Sequence, residues 1–167
     1  RTLLHRTPTK FASFTWGQKR MMLTVPEDGS WVVWPHFSSG HGLINDQDAA
    51  ARYAQLRDFD HQITSNSFAV SGVLDRHQGA LQQAFFFTSL PGDVTVYMER
   101  LRRQPGFTLR SRETGVVGLE YEFGSNQHRL CGRNGTLKTL GVGGDKARVV
   151  ELPTDWLNIS DRIGYVV

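Results

Sequence analysis

The side chains best suited to chemistry cluster in Trp31-Val32-Val33-Trp34-Pro35-His36-Phe37-Ser38-Ser39-Gly40-His41-Gly42. An indole that reaches solvent is a flat apolar platform for the C–H face of a sugar ring, and hydroxyls and imidazoles beside it can meet the sugar's own hydroxyls. The odd spacing of Trp31 and Trp34 turns them to opposite faces of a regular strand, so at least one is a candidate platform unless both faces are covered. Core packing is the competing use of the same rings. His36 and His41 carry imidazoles capable of metal ligation or proton transfer. Their spacing fits no zinc signature and Asp46 and Asp48 add only generic oxygen donors, so neither a metal nor any other cofactor is expected. Asp58-Phe59-Asp60-His61 likewise lacks the Asp/Asn and Gly pattern of a calcium loop.

A second group is basic. Arg100, Arg102 and Arg103 are followed, after a Pro105-Gly106 turn, by Arg110 and Arg112. A guanidinium fork matches planar anions such as uronate or sulfate, and a solvated strand end is the alternative reading. The candidate ligand-contacting set is therefore Trp31, Trp34, His36, His41, Tyr97, Arg102 and Arg103. Glu120 and Glu122 share one face of an alternating run, about 7 Å apart by strand rise. Neighbours on one face approach from one side and do not flank a glycosidic bond. Tyr97, Tyr121 and the arginines supply the residue types of a lyase, in which a base removes a proton and a cation neutralises the uronate. No Ser sits in a nucleophile elbow and Cys131 has no adjacent base, so no catalytic residue is assigned. Gly141-Val142-Gly143-Gly144-Asp145-Lys146 has the glycines of a phosphate loop without its spacing. Asn134-Gly135-Thr136 and Asn158-Ile159-Ser160 fit the glycosylation pattern, which matters only in a eukaryotic secretory pathway.

The elements that must position these residues are strands. Apolar residues alternate with polar ones in Val117, Leu119, Tyr121 and Phe123, in Ala12, Phe14 and Trp16, in Phe68, Val70, Gly72 and Leu74, and in Val94, Val96 and Met98 opposite Thr95, Tyr97 and Glu99. Ala84-Phe85-Phe86-Phe87 is apolar throughout, as a strand covered on both faces would be. Turn signals at Glu27-Asp28-Gly29, Pro91-Gly92-Asp93, Gln104-Pro105-Gly106, Asn134-Gly135 and Gly143-Gly144-Asp145 separate the runs. Asn134-Gly135 predicts a type I′ hairpin that pairs Arg129-Leu130-Cys131 with Thr136-Leu137-Lys138. The expected fold is all-β, an antiparallel sandwich with at most one short helix. The segment Asp46 to Arg57, where Asp46 can cap an apolar face of Ala49, Ala50, Tyr53, Ala54 and Leu56, reads as that short helix or as an irregular excursion between strands.

Composition bounds the rest. The 167 residues are 39% hydrophobic and 21% charged, with ten Phe and four Trp, enough for one well-buried domain over residues 1–167 and not the signature of disorder. A net charge of +3, without a recognition helix, zinc finger or aromatic RNA-binding signature, argues against nucleic acid as the partner. No apolar run reaches the roughly 20 residues of a spanning helix, so no membrane partner is expected. The single Cys forms no internal disulfide and says little about compartment. The chain opens at Arg1 and closes on the apolar run Ile163-Gly164-Tyr165-Val166-Val167, which reads as one piece of a longer or processed polypeptide whose missing domain or chain is its expected partner.

Three segments carry a resemblance: HRTPTKFASFTWG near the start, SLPGDVTVYMERL in the middle and DWLNISDRIGYVV at the end. With Phe11, Ser13, Phe14, Trp16, Gly92, Asp93, Val96, Tyr97, Trp156, Asn158, Asp161, Arg162, Gly164 and Tyr165 as matching residues, the chain resembles the β-rich, supersandwich-like domains of bacterial polysaccharide-processing enzymes. In these, polysaccharide lyases above all, the β-domain follows an α-helical catalytic domain. The resemblance implies a noncatalytic accessory or C-terminal domain of a carbohydrate-active enzyme, in contact with polysaccharide and outside the cytoplasm, extracellular or periplasmic. No catalytic residue carries over, because the helical domain usually supplies the His and Tyr. Two other functions remain open: a domain that lends catalytic residues to a polysaccharide lyase or hydrolase, and a structural domain without a ligand.

Overall fold

The structure, a computed structural model, describes residues 1–16, 21–27, 31–35, 55–76, 79–106, 115–119, 127–141, 155–159 and 163–166. The described residues form antiparallel strands and no helix, which bears out the all-β expectation. In chain order the strands are β1 (Thr2–Arg6), β2 (Lys10–Thr15), β3 (Met21–Pro26), β4 (Trp31–Pro35), β5 (Gln55–Ile63), β6 (Phe68–Arg76), β7 (Leu81–Ser89), β8 (Thr95–Arg103), β9 (Gly115–Leu119), β10 (Gln127–Gly132), β11 (Gly135–Gly141), β12 (Trp156–Ile159) and β13 (Ile163–Val166). Gln55, Leu56 and Arg57, expected at the end of a helix, instead open β5, where Leu56 pairs with Leu74 of the next strand. The rest of that expected helix lies outside the described residues.

The chain divides into two compact units, Arg1–Leu119 and Glu120–Val167. The first holds a five-stranded sheet in the order β1-β2-β3-β4-β9 and a four-stranded meander β5-β6-β7-β8. The second holds a four-stranded sheet in the order β11-β10-β12-β13. Its Asn-Gly hairpin pairs Cys131 with Thr136 and Gly132 with Gly135, and a bulge shifts the register beyond Cys131. Arg133 and Asn134 keep negative φ while Gly135 takes φ 117°, so the expected type I′ turn, which needs positive φ at both central residues, is not the one formed.

The core of the first unit explains its strands. Ala12 and Phe14 of β2, Met22 of β3, Phe68, Val70 and Leu74 of β6, and Phe85 and Phe87 of β7 form one buried cluster. Phe14 joins the two sheets: its ring lies 6.0 Å from that of Phe85, 6.3 Å from that of Phe87 and 5.9 Å from that of Phe59. Phe59 reaches this stack because β5 carries a bulge between Arg57 and Asp60, with Asp58 at φ 48°, a left-handed conformation that Asp tolerates better than most residues.

β7 and β8 depart from the burial that their apolar patterns predict. Along its Phe run β7 is buried on one face, through Phe85 and Phe87, while on the other Ala84 is exposed and Phe86 half-buried, and only Thr88 near the strand end is buried there. β8 is turned over relative to its apolar pattern: its register opposes Tyr97 to Phe87 and Glu99 to Phe85, and Met98 is 57% exposed. Register propagates across a hairpin, so the fixed inward face of β7 decides which face of β8 points inward.

Candidate functional site

Tyr97 is the expected site residue around which the fold gathers others. It sits on β8, an edge strand of the meander, and its half-buried ring packs against the core cluster. Glu99 follows two residues later and so shares its face, and Gln83 of the neighbouring β7 lies on that face by register. The Tyr97 hydroxyl donates to Glu99 Oε2 at 2.8 Å, and Gln83 Nε2 donates to the same oxygen at 2.6 Å. Gln83 Nε2 also lies 3.3 Å from the Tyr97 hydroxyl. One carboxylate oxygen thus fixes a phenol and an amide, with charge-assisted bonds shorter than neutral ones.

The chemistry of this arrangement is selective. A phenol that donates to a carboxylate is held as a hydrogen-bond donor, whereas a lyase base must arrive without its proton. The geometry therefore suits binding better than proton abstraction. The atoms left to meet a ligand's hydroxyls are those of half-buried Tyr97 and Glu99 on the edge strand, since Gln83 is buried and its amide nitrogen is already committed to both.

The other expected contacts do not gather at this point. Arg102 pairs with Gln82 and Arg103 with Leu81, so alternation puts the two exposed arginines on opposite faces of β8. Arg103 shares the face of Tyr97 and Glu99, while Arg100 and Arg102 share the other. On that second face Asp75 is already engaged, 2.8 Å from Arg57 and accepting from Gln82 at 3.0 Å. Trp31 and Trp34 stand in β4 opposite Leu119 and Val116 of β9; their side chains lie outside the described residues. His36, His41, Arg110, Arg112, Glu120, Tyr121 and Glu122 also lie outside them. Among the described residues no group of three or more His, Cys, Asp or Glu side chains is arranged to hold a metal. No helix of the described residues is long and apolar enough to cross a membrane.

Gln83 and Glu99 were not singled out from the sequence. Period two already linked Glu99 to Tyr97, but Gln83 becomes a neighbour only through the register of β7 with β8. A second aromatic group was equally hidden: Trp16, Phe59 and His61 have ring centroids 5.1–5.9 Å apart, brought together from β5 and the end of β2 by the Asp58 bulge. Set against known proteins, the chain matches no family model, no curated protein and no solved structure.

Proposed function

We propose that this chain is a noncatalytic β-sandwich domain of a carbohydrate-active enzyme that contacts polysaccharide, with Tyr97 and Glu99, both half-buried on edge strand β8, as its hydroxyl-binding group and the buried Gln83 as the residue that holds them. The observation that carries the reading is the shared Glu99 oxygen, which holds a half-buried phenol on an edge strand in one orientation, backed by a buried amide. Arg103 on the same face extends the group toward the end of β8. The resemblance to polysaccharide lyase β-domains agrees in fold class and supplies the polysaccharide context.

The test is calorimetric titration of the chain with neutral and acidic polysaccharides, alongside Tyr97→Ala and Glu99→Gln. Binding is expected for the parent chain and a loss of about tenfold or more in either variant, since each removes a charge-assisted bond or the ring worth roughly 1.5–3 kcal/mol. No binding across the panel overturns the reading in favour of a structural domain. Release of unsaturated uronide by the chain, lost in Tyr97→Phe, would instead favour a domain that lends catalytic residues to a lyase.

A further inference from the structure

The end of the first unit away from Arg103 carries a polar staple. The β1–β2 hairpin and the loop Leu90–Val94 between β7 and β8 meet there. Thr7 Oγ1 donates to the Gly92 carbonyl at 3.0 Å, and the buried Lys10 Nζ donates to the carbonyls of Leu90 and Val94. His5 completes the staple. Its Nδ1 lies 2.7 Å from Ser89 Oγ, and its ring meets Phe68 edge-on with centroids 6.4 Å apart. Ser89 is wholly buried, so water cannot replace the imidazole as its partner without the fold opening.

We propose that His5 is an acid-sensitive latch: the neutral imidazole accepts the hydroxyl proton of buried Ser89 at Nδ1 and fastens edge strand β1 to the end of β7, whereas protonation turns Nδ1 into a donor, leaves the Ser89 hydroxyl proton without its acceptor and sets a second cation beside Lys10, loosening β1 and the Leu90–Val94 loop together. The surroundings of His5 favour the neutral ring. From β2 the charged group facing it is Lys10, a like charge for an imidazolium; from β6 it meets Phe68 and from β7 Ser89, neither ionised. Asp93 of the loop is the acidic group at this end, and its charge acts on Lys10. Arg6, the neighbour of His5 on β1, alternates to the outer face. Desolvation first, and the Lys10 charge second, hold the imidazole below its ordinary 6.5. An unfolded chain then takes up the proton more readily than the folded one. The stability that His5 contributes is complete above 6.5 and is lost as the pH falls below it.

Edge position makes the effect local. β1 has a neighbour on one side only, and Leu4 on its outer face is 65% exposed, so once the latch is released it is held by its ladder to β2 and the packing of Leu3 at its other end. The experiment is amide hydrogen exchange of the whole chain at pH 7.5 and pH 5, corrected for intrinsic rates, on the parent and on His5→Gln. In the parent, Thr2–Arg6 and Leu90–Val94 are expected to lose protection at pH 5 while β6 and β7 keep theirs; in His5→Gln the two segments exchange alike at both pH values. Unchanged protection in the parent, or the same loss in His5→Gln, overturns the proposal. Should the variant fail to fold, an NMR titration of the parent decides: a His5 ring that titrates at or above the ordinary imidazole value overturns the latch, and one that titrates below it, with Ser89 and Leu90–Val94 amides shifting in step, upholds it.

Discussion

Lys10 is the residue whose placement runs furthest against its chemical type. It shares the inner face of β2 with Ala12 and Phe14 and is 2% exposed, where an ammonium loses most of its hydration. Burial pulls its ionisation below the ordinary 10.5 and Asp93 pulls it back up, so the charge weighs against the fold at neutral pH. Stability from this group alone rises as the pH climbs toward 10.5. Offsetting that cost are the two loop carbonyls, Leu90 and Val94, that accept from the ammonium in part-buried bonds. Lys10→Met keeps the stem and removes the donors. It is expected to destabilise by about 1–3 kcal/mol, the worth of hydrogen bonds to a charged donor, as read from the urea midpoint. An unchanged midpoint would mean that relief of desolvation cancels the two bonds.

At the scale of elements, the inner face of the meander is fitted around one glycine. A Cβ at Gly72 of β6 would lie 2.9 Å from the Phe85 ring and 3.1 Å from Leu56 Cδ1, so the central strand gives up a side chain to admit a ring from β7. Gly72→Ala is expected to cost about 1–3 kcal/mol by overpacking, measured by thermal or urea unfolding. A neutral result would show that the Phe85 ring can step aside. The Phe68, Val70, Gly72 and Leu74 alternation was legible from the sequence because all of it faces one buried surface. Phe86 and Met98 were misread for a shared reason. Four apolar residues in a row carry no period, and Val94-Thr95-Val96-Tyr97-Met98-Glu99 offers an amphipathic pattern on either face, so only pairing with β7 chooses between them. The same dependence hid Gln83 from the candidate site while leaving Tyr97 visible, and it separated Arg102 from Arg103, adjacent in sequence and opposite on the sheet. The bulge at Asp58 gave no sequence signal, since Asp-Phe-Asp reads equally well as a regular strand.

Across the whole first unit, strand order and chain order part company at one junction. β1 to β4 run in sequence, as do β5 to β8, yet β9 returns to pair with β4, Pro35 against Gly115 and Trp31 against Leu119. The meander is thus inserted within the five-stranded sheet, and the second unit begins only after that sheet is closed at Leu119. This order of connection carries a kinetic consequence. Closing the long span between β4 and β9 costs chain entropy that grows slowly, about 0.6 kcal/mol per doubling of length, and a meander formed first shortens the effective span. Local hairpins form in microseconds, whereas pairing across a long insertion waits for them. The transition state for folding should therefore contain β6 and β7 but not β9. Val73→Ala in β6 is expected to slow refolding, while Val117→Ala in β9 leaves refolding unchanged and speeds unfolding, as stopped-flow chevrons would read. If Val117→Ala slows refolding as much as Val73→Ala does, the sheet closes before the meander is built, and the insertion is folded inside a frame that already exists.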